Sequence, residues 1–211
     1  MQLSDLDKKR VNEFYLGHLE KNGVESAQTL NWTTKRHQLL RFNTLARLGK
    51  IDGHSLLDVG CGLGDLYGFL QDQKINVDYY GIDIVPEFIK QAKKKYPGIN
   101  VEIQDIFKID KRYDYAIASG SFSFTVENND AFYKSIIRKM YDLVNLGIGF
   151  NMLDGDYYNS DEIYAVYDAE EILDYCRTFA ARAYLIRGYS EGDFTVFLYK
   201  DPSATFTQIE H

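Results

Sequence analysis

The chain is poor in cysteine: Cys61 and Cys176 are the only two among 211 residues. Neither sits in a paired spacing for a metal. No other grouping of cysteine, histidine and acids has ligand spacing either, so no metal is expected and a metal-assisted mechanism is disfavoured. Long apolar runs are also missing. The first residues, Met1 to Arg10, carry no hydrophobic export segment, and nothing later would span a bilayer, so the expectation is a reduced, soluble, cytoplasmic protein away from membranes. Positive charge is in deficit, with 24 Lys and Arg against 31 Asp and Glu and a formal charge of −7. That balance disfavours nonspecific attraction to a polyanion. One basic run, Lys90 and Lys93 to Lys95, has no interleaved aromatic residues and reads as a solvated helix face, so a nucleic-acid partner is not expected. Repeats and low-complexity segments are absent as well. With 45% hydrophobic residues, the composition is that of one globular domain with a substantial core.

The most informative stretch is Leu56-Leu57-Asp58-Val59-Gly60-Cys61-Gly62-Leu63-Gly64-Asp65. It reads as a buried strand, a glycine-rich turn and the start of a helix. Glycines two apart allow a sharp turn and let backbone N–H groups approach a ligand at a helix start. A dinucleotide fingerprint would need Gly or Ala where Asp65 stands, so a non-phosphate ligand fits better. A second strand, Tyr79 to Asp83, ends in an acid that can accept both hydroxyls of a ribose. A third, Val101 to Gln104, is followed at once by Asp105. Strands alternating with helices predict right-handed crossovers and a parallel sheet.

These three motifs, in this order and at these separations, resemble the motif set of class I S-adenosylmethionine-dependent methyltransferases, over roughly Leu56 to Lys200. The resemblance implies a Rossmann-like α/β sandwich with a seven-stranded, mostly parallel sheet, helices on both faces and an antiparallel terminal hairpin. It implies S-adenosylmethionine as methyl donor and S-adenosylhomocysteine as product. Carried over by position, it implies Asp58, Gly60, Gly62, Gly64 and Asp65 around the methionine part, Asp83 on the ribose, and Asp105 on the adenine amino group. Ile84 and Ile106 would flank the adenine, and Gln104 and Ser119 are further candidate cofactor contacts. A looser likeness to stand-alone bacterial and phage methyltransferases rests on an N-terminal tryptophan, Gln38-x-x-Arg41-Phe42 and Asp193-Phe194-Thr195. It implies no defined substrate.

Residues 1–50 are expected to form a helical lid, 51–200 the catalytic core and 201–211 a frayed tail. Val11, Phe14, Tyr15 and Leu19 fall on one stripe of a first helix ended by Gly23, and Leu39, Phe42, Leu45 and Leu48 on the inner face of a second. Within the lid, Trp32 and Arg41 are candidate cofactor contacts, Arg41 through the cofactor carboxylate. The fourth strand, ending at Ser119, runs into Gly120-Ser121-Phe122-Ser123-Phe124, at the end of the sheet where a substrate should sit. In the branch of the family that methylates adenine or glutamine nitrogen this loop carries two prolines. Gly120 and Ser121 stand there instead, which argues against those acceptors. Phe122, Tyr157 and Tyr158 are candidate substrate contacts, and Asp154 and Tyr157 candidate bases. His18, His37, His54 and His211 read as surface residues. The expected function is methyl transfer to an O or N nucleophile of a small molecule, by a monomer or homodimer. Two alternatives stay open: modification of RNA or protein, and a non-catalytic cofactor-binding partner subunit.

Overall fold

A computed structural model describes residues 3–30 and 33–207. It opens with α1 (Asp5–Asn22), a 3-10 turn (Ala27–Leu30) and α2 (Lys35–Leu45), which tightens into a second 3-10 turn (Ala46–Leu48). The alternating unit follows as β1 (Ser55–Val59), α3 (Asp65–Asp72), β2 (Asp78–Asp83), α4 (Pro86–Lys95), β3 (Val101–Ile103) and β4 (Tyr113–Ala118). The chain closes with α5 (Asn129–Asp142), β5 (Val144–Leu153), α6 (Ala169–Arg177), β6 (Arg182–Ile186) and β7 (Asp193–Tyr199).

The seven strands form one sheet in the order β3-β2-β1-β4-β5-β7-β6. The first five pair in parallel, and β7 inserts antiparallel between β5 and β6. This is the sheet expected from the sequence, terminal hairpin included. Successive side chains of a strand face opposite sides, and two core clusters result. Leu57, Val59, Ala116 and Ala118 lie in one. Leu56, Tyr115 and Ile117 lie in the other, with Phe197 and Tyr199 of β7. Local signals set the helix ends. Pro86 occupies the first turn of α4, where a missing N–H costs nothing. The Asp168 side chain accepts from the N–H groups of Glu170 and Glu171 and caps α6.

The two N-terminal helices have different roles in the packing. Phe42, Leu45 and Leu48 of the α2 segment are part of the second core, and the Tyr199 hydroxyl donates to the Leu48 carbonyl at 2.6 Å. This segment is structural core, not a detachable cover. α1 buries only Val11 of its apolar stripe, with Phe14, Tyr15 and Leu19 packed partly against the first core. Polar contacts hold it to the loops beyond β4 and β5: Asp7 accepts from Glu127 N–H at 3.1 Å, and Arg10 donates to the Thr125 and Glu162 carbonyls at 3.3 and 3.0 Å. Among the described residues no helix is long and apolar enough to cross a membrane.

A buried ion pair joins α2 to the start of β7. Arg41 donates through both Nε, at 2.7 Å, and a terminal nitrogen to the two oxygens of Asp193. The Asp193 side chain is 3% exposed and that of Arg41 13%. Removing one partner of such a pair leaves an uncompensated charge, so Arg41→Ala should lower unfolding stability by about 3–5 kcal/mol in urea titrations. A loss under about 1 kcal/mol would show that Asp193 finds water or a proton instead.

Candidate active site

Strand order reverses between β1 and β4, and in open α/β sheets a ligand crevice forms beyond the strand ends at that point. A cavity of about 370 Å³ lies there. Its floor is the turn after β1. Gly60, Gly62 and Gly64 have φ of +75°, +54° and +76°, a region that L side chains rarely adopt. A Cβ at Gly60 would stand 2.4 Å from the Ser121 Cβ, and one at Gly62 2.9 Å from a Leu30 methyl. The Ser121 hydroxyl donates to the Val59 carbonyl at 3.0 Å, so the loop after β4 sits directly on the turn.

Asp83, the last residue of β2, holds this floor in place. One of its oxygens accepts from Gly62 N–H and the other from Val85 N–H, each at 2.8 Å. Burial pushes its carboxyl up from the ordinary aspartate range, and the backbone donors oppose that. Asp58, inside β1, is 2% exposed and accepts from the Tyr79 hydroxyl at 2.6 Å. Burial pushes it up to about 7, with the Tyr79 hydrogen bond pulling the other way and the Asp83 charge adding to the rise. Neither acid has an ion-pair partner among the described residues. Each carboxylate oxygen can accept more than one hydrogen bond, so both acids keep capacity for a ligand.

Asp58, Gly60, Gly62, Asp83 and Ile84 line the cavity together. So do Gln104, Asp105, Ile106, Ser119 and Phe122. The Ser119 hydroxyl oxygen is buried without a hydrogen-bond partner. S-adenosylmethionine presents an ammonium, a ribose diol and an adenine amino group, all donors. A wall of buried acids, an orphaned hydroxyl and a cradle that side chains would fill therefore suits it chemically.

Other expected contacts lie off the cavity, and each has another partner or another setting. Asp65 accepts from Gln38 Nε2 at 2.9 Å and from Lys95 at 2.8 Å, so its carboxylate ties α3 to α2 and α4. At Gly64 a Cβ would meet Ile99 at 2.8 Å, which makes this glycine a packing requirement. The Arg41 guanidinium is engaged by Asp193. Asp154 is 1% exposed and pairs with Arg187 at 3.2 Å, while Tyr157 is 60% exposed. Tyr158 lies over Gly192, where an added Cβ would fall 2.1 Å from its ring. The physical reason is that the segment after β5 folds back on the segment after β4. Isolated bridges join Phe124 to Tyr164 and Asp154 to Tyr167, and Ala165 N–H donates to the Ser123 carbonyl. The tyrosine-bearing insertion thus covers the outer face of that segment and Phe124 takes the inner one. Trp32 lies outside the described residues.

The structure adds residues that sequence reasoning did not assign to the site. Tyr15 from α1, Phe88 from α4 and Phe132 and Tyr133 from α5 all line the cavity, beside Phe124 of the loop expected to face the substrate. Tyr15 was legible only as part of an apolar helix stripe, which is equally the mark of a core residue. Gln38, a lid residue by its position in the sequence, also reaches the lining.

The strand order, the glycine turn beside a buried acid and a second acid at the end of β2 together define an α/β transferase that uses S-adenosylmethionine. The chain belongs to the methyltransferase domain family, whose model matches residues 50–180. It is 30% identical over 159 residues to Rv1506c, a methyltransferase-like protein of Mycobacterium tuberculosis, covering 71% of this chain and 95% of that one. In fold it is similar to magnesium protoporphyrin IX methyltransferase of Synechocystis PCC 6803, solved with bound S-adenosylhomocysteine. That match has a TM-score of 0.70 at 15% identity and covers 93% of this chain and 99% of the other. The plantazolicin methyltransferase BpumL, solved with a desmethyl plantazolicin analogue and S-adenosylhomocysteine, has a TM-score of 0.66 at 15% identity over 92% and 96% of the two chains.

Because burial pushes the folded-state carboxyl of Asp58 up to about 7, well above an ordinary aspartate, the unfolded chain gives up this proton first as pH rises. The group therefore costs the ligand-free protein stability that is lost progressively as pH rises to about 7 and stays lost above it. Asp58→Asn should gain on the wild type by on the order of 1–3 kcal/mol from about pH 5 to about pH 8 in denaturant unfolding. Parallel pH curves would mean that Asp58 ionises normally.

Proposed function

We propose that this enzyme transfers a methyl group from S-adenosylmethionine to an oxygen or nitrogen of a small molecule held beneath α1. In this reading Asp58 pairs with the ammonium of the cofactor, and the Gly60 to Gly62 backbone and Ser119 surround its methionine part. Asp83 accepts from the ribose hydroxyls. Asp105 faces the adenine amino group, with Gln104, Ile84 and Ile106 beside the ring. The bound donor supplies an activated methyl on a sulfonium. The chain's own contribution is to orient the acceptor and exclude water, which can be worth ~7–11 kcal/mol.

The observation that carries this reading is the continuity of the cavity. Past the acids it runs on into walls from Leu3, Val11 and Tyr15 of the N-terminal segment and Phe124, Phe132 and Ile136 beyond β4. A half-open, largely apolar cavity of about 370 Å³ suits a small molecule better than an extended polymer. α1, held by Asp7 and Arg10, would then act as the lid. The similar proteins named for magnesium protoporphyrin IX and plantazolicin fit an organic small-molecule acceptor.

The test incubates purified protein and methyl-labelled S-adenosylmethionine with a cell extract split into small-molecule, RNA and protein fractions. Label is expected in the small-molecule fraction. Transfer to RNA or protein alone would replace the enclosed-pocket reading with an open-groove one. Cofactor binding without transfer to any fraction would point to a partner-dependent subunit.

A further inference from the structure

The acceptor half of the cavity differs in chemistry from the cofactor half. Its walls are Leu3, Val11, Phe124, Val126, Phe132 and Ile136; the hydroxyls among them come from Tyr15 and Tyr133, and the one cation, Lys8, is paired with Asp5 at 3.3 Å. The Tyr133 hydroxyl is committed, donating to the Phe124 carbonyl at 2.6 Å. Tyr15 is held by its ring, edge-on to Phe14 at 5.2 Å and to Phe88 at 5.4 Å, while no described residue hydrogen-bonds its hydroxyl. We infer that the acceptor is a carboxylic acid on an apolar body, methylated on a carboxylate oxygen, and that the Tyr15 hydroxyl positions it by donating to that carboxylate. This rests on the small-molecule methyltransferase reading above.

Three arguments carry the inference. First, an ammonium or a phenol must lose a proton to become a nucleophile, whereas a carboxylate has already lost it at neutral pH. Second, the two phenols facing the acceptor suit donation and not proton removal. Burial raises both, Tyr15 further through the Asp83 and Tyr164 charges and Tyr133 through Tyr15 and Asp7, with the bond to Phe124 opposing. They stay protonated across the physiological range. Third, apolar walls favour a reaction that removes charge. A carboxylate oxygen forms the new bond to the methyl carbon as the carbon–sulfur bond breaks and its electron pair stays on sulfur. A negative acceptor and a positive sulfonium become a neutral methyl ester and a neutral thioether, with no proton transferred. In a low-dielectric site the separated charges are the poorly solvated state, so their loss is favoured. A single neutral donor then fixes the acid without cancelling its charge.

The labelled small-molecule fraction gives the test. Under mild alkali a methyl ester hydrolyses and its label leaves as methanol, while N-methyl groups and ethers keep theirs. Alkali-released labelled methanol is the expected result. Alkali-stable label would overturn the carboxylate assignment and leave the methyltransferase reading standing, whereas absence of label from small molecules would overturn that reading and this inference together. Tyr15→Phe tests the positioning role separately. With the labelled acceptor as substrate, kcat/KM should fall roughly tenfold for a lost hydrogen bond to a charged group, with S-adenosylmethionine affinity by calorimetry unchanged. An equal loss of cofactor affinity would make Tyr15 a cofactor contact, and unchanged kcat/KM would remove it from the acceptor site.

Discussion

The site depends on the carboxylate of Asp83, which bridges two backbone donors, Gly62 in the turn after β1 and Val85 before α4. β1 and β2 are neighbours in the sheet, so this side chain locks together the two strand ends that flank the cavity. The bridge requires a buried negative charge, which burial alone makes unfavourable. Asp58 is buried too, and the Asp83 charge adds to the cost of charging it. The free protein therefore carries electrostatic stress where a cationic, donor-rich ligand would relieve it. A fold that maximised its own stability would pair or remove these acids. Their retention without an ion-pair partner among the described residues is what a binding site requires.

The surrounding packing keeps that stressed floor rigid. Ser121 packs against Gly60 and Leu30 against Gly62, so the turn is confined from the β4 side and from the N-terminal segment. Asp65, Gln38 and Lys95 tie three helices together just behind the turn. Arg41 and Asp193 fix α2 against the inserted strand β7, whose Val196 and Phe197 face the two opposite cores. α1 is held differently, mainly by the polar contacts of Asp7 and Arg10 and by a partly buried aromatic edge.

Much of this was legible in the sequence because the cofactor half is built from consecutive residues. Leu56 to Gly64, Tyr79 to Asp83 and Val101 to Asp105 each join a strand to its own loop, so the family resemblance could be carried over position by position, and the residues it picks out line one cavity. Asp65 misled because a helix-first acid looks the same whether it faces a ligand or a neighbouring helix, and its partners are 27 and 30 residues away. Arg41 misled in the same way, with its carboxylate 152 residues distant in β7. The tyrosines after β5 promised a substrate wall because they follow a strand at the functional end. The bridges to Phe124 and Tyr167 turned that segment outward, and long-range bridges of this kind leave no local pattern. The outer cavity wall was harder to read: Phe124 belongs to the loop expected to face the acceptor, but Tyr15 and Tyr133 come from two helices and look like core residues in each.

The central claim is that buried, unpaired acids at the strand switch point are the seat of S-adenosylmethionine. The most direct test is a calorimetric titration of S-adenosylmethionine into the protein at about pH 6.5, in two buffers of different ionisation enthalpy. The ammonium of the ligand should draw Asp58 into its charged form, so binding should release protons, and Asp58→Asn should bind more weakly and release none. Saturable binding without proton release, or with the same release in the variant, would contradict the claim.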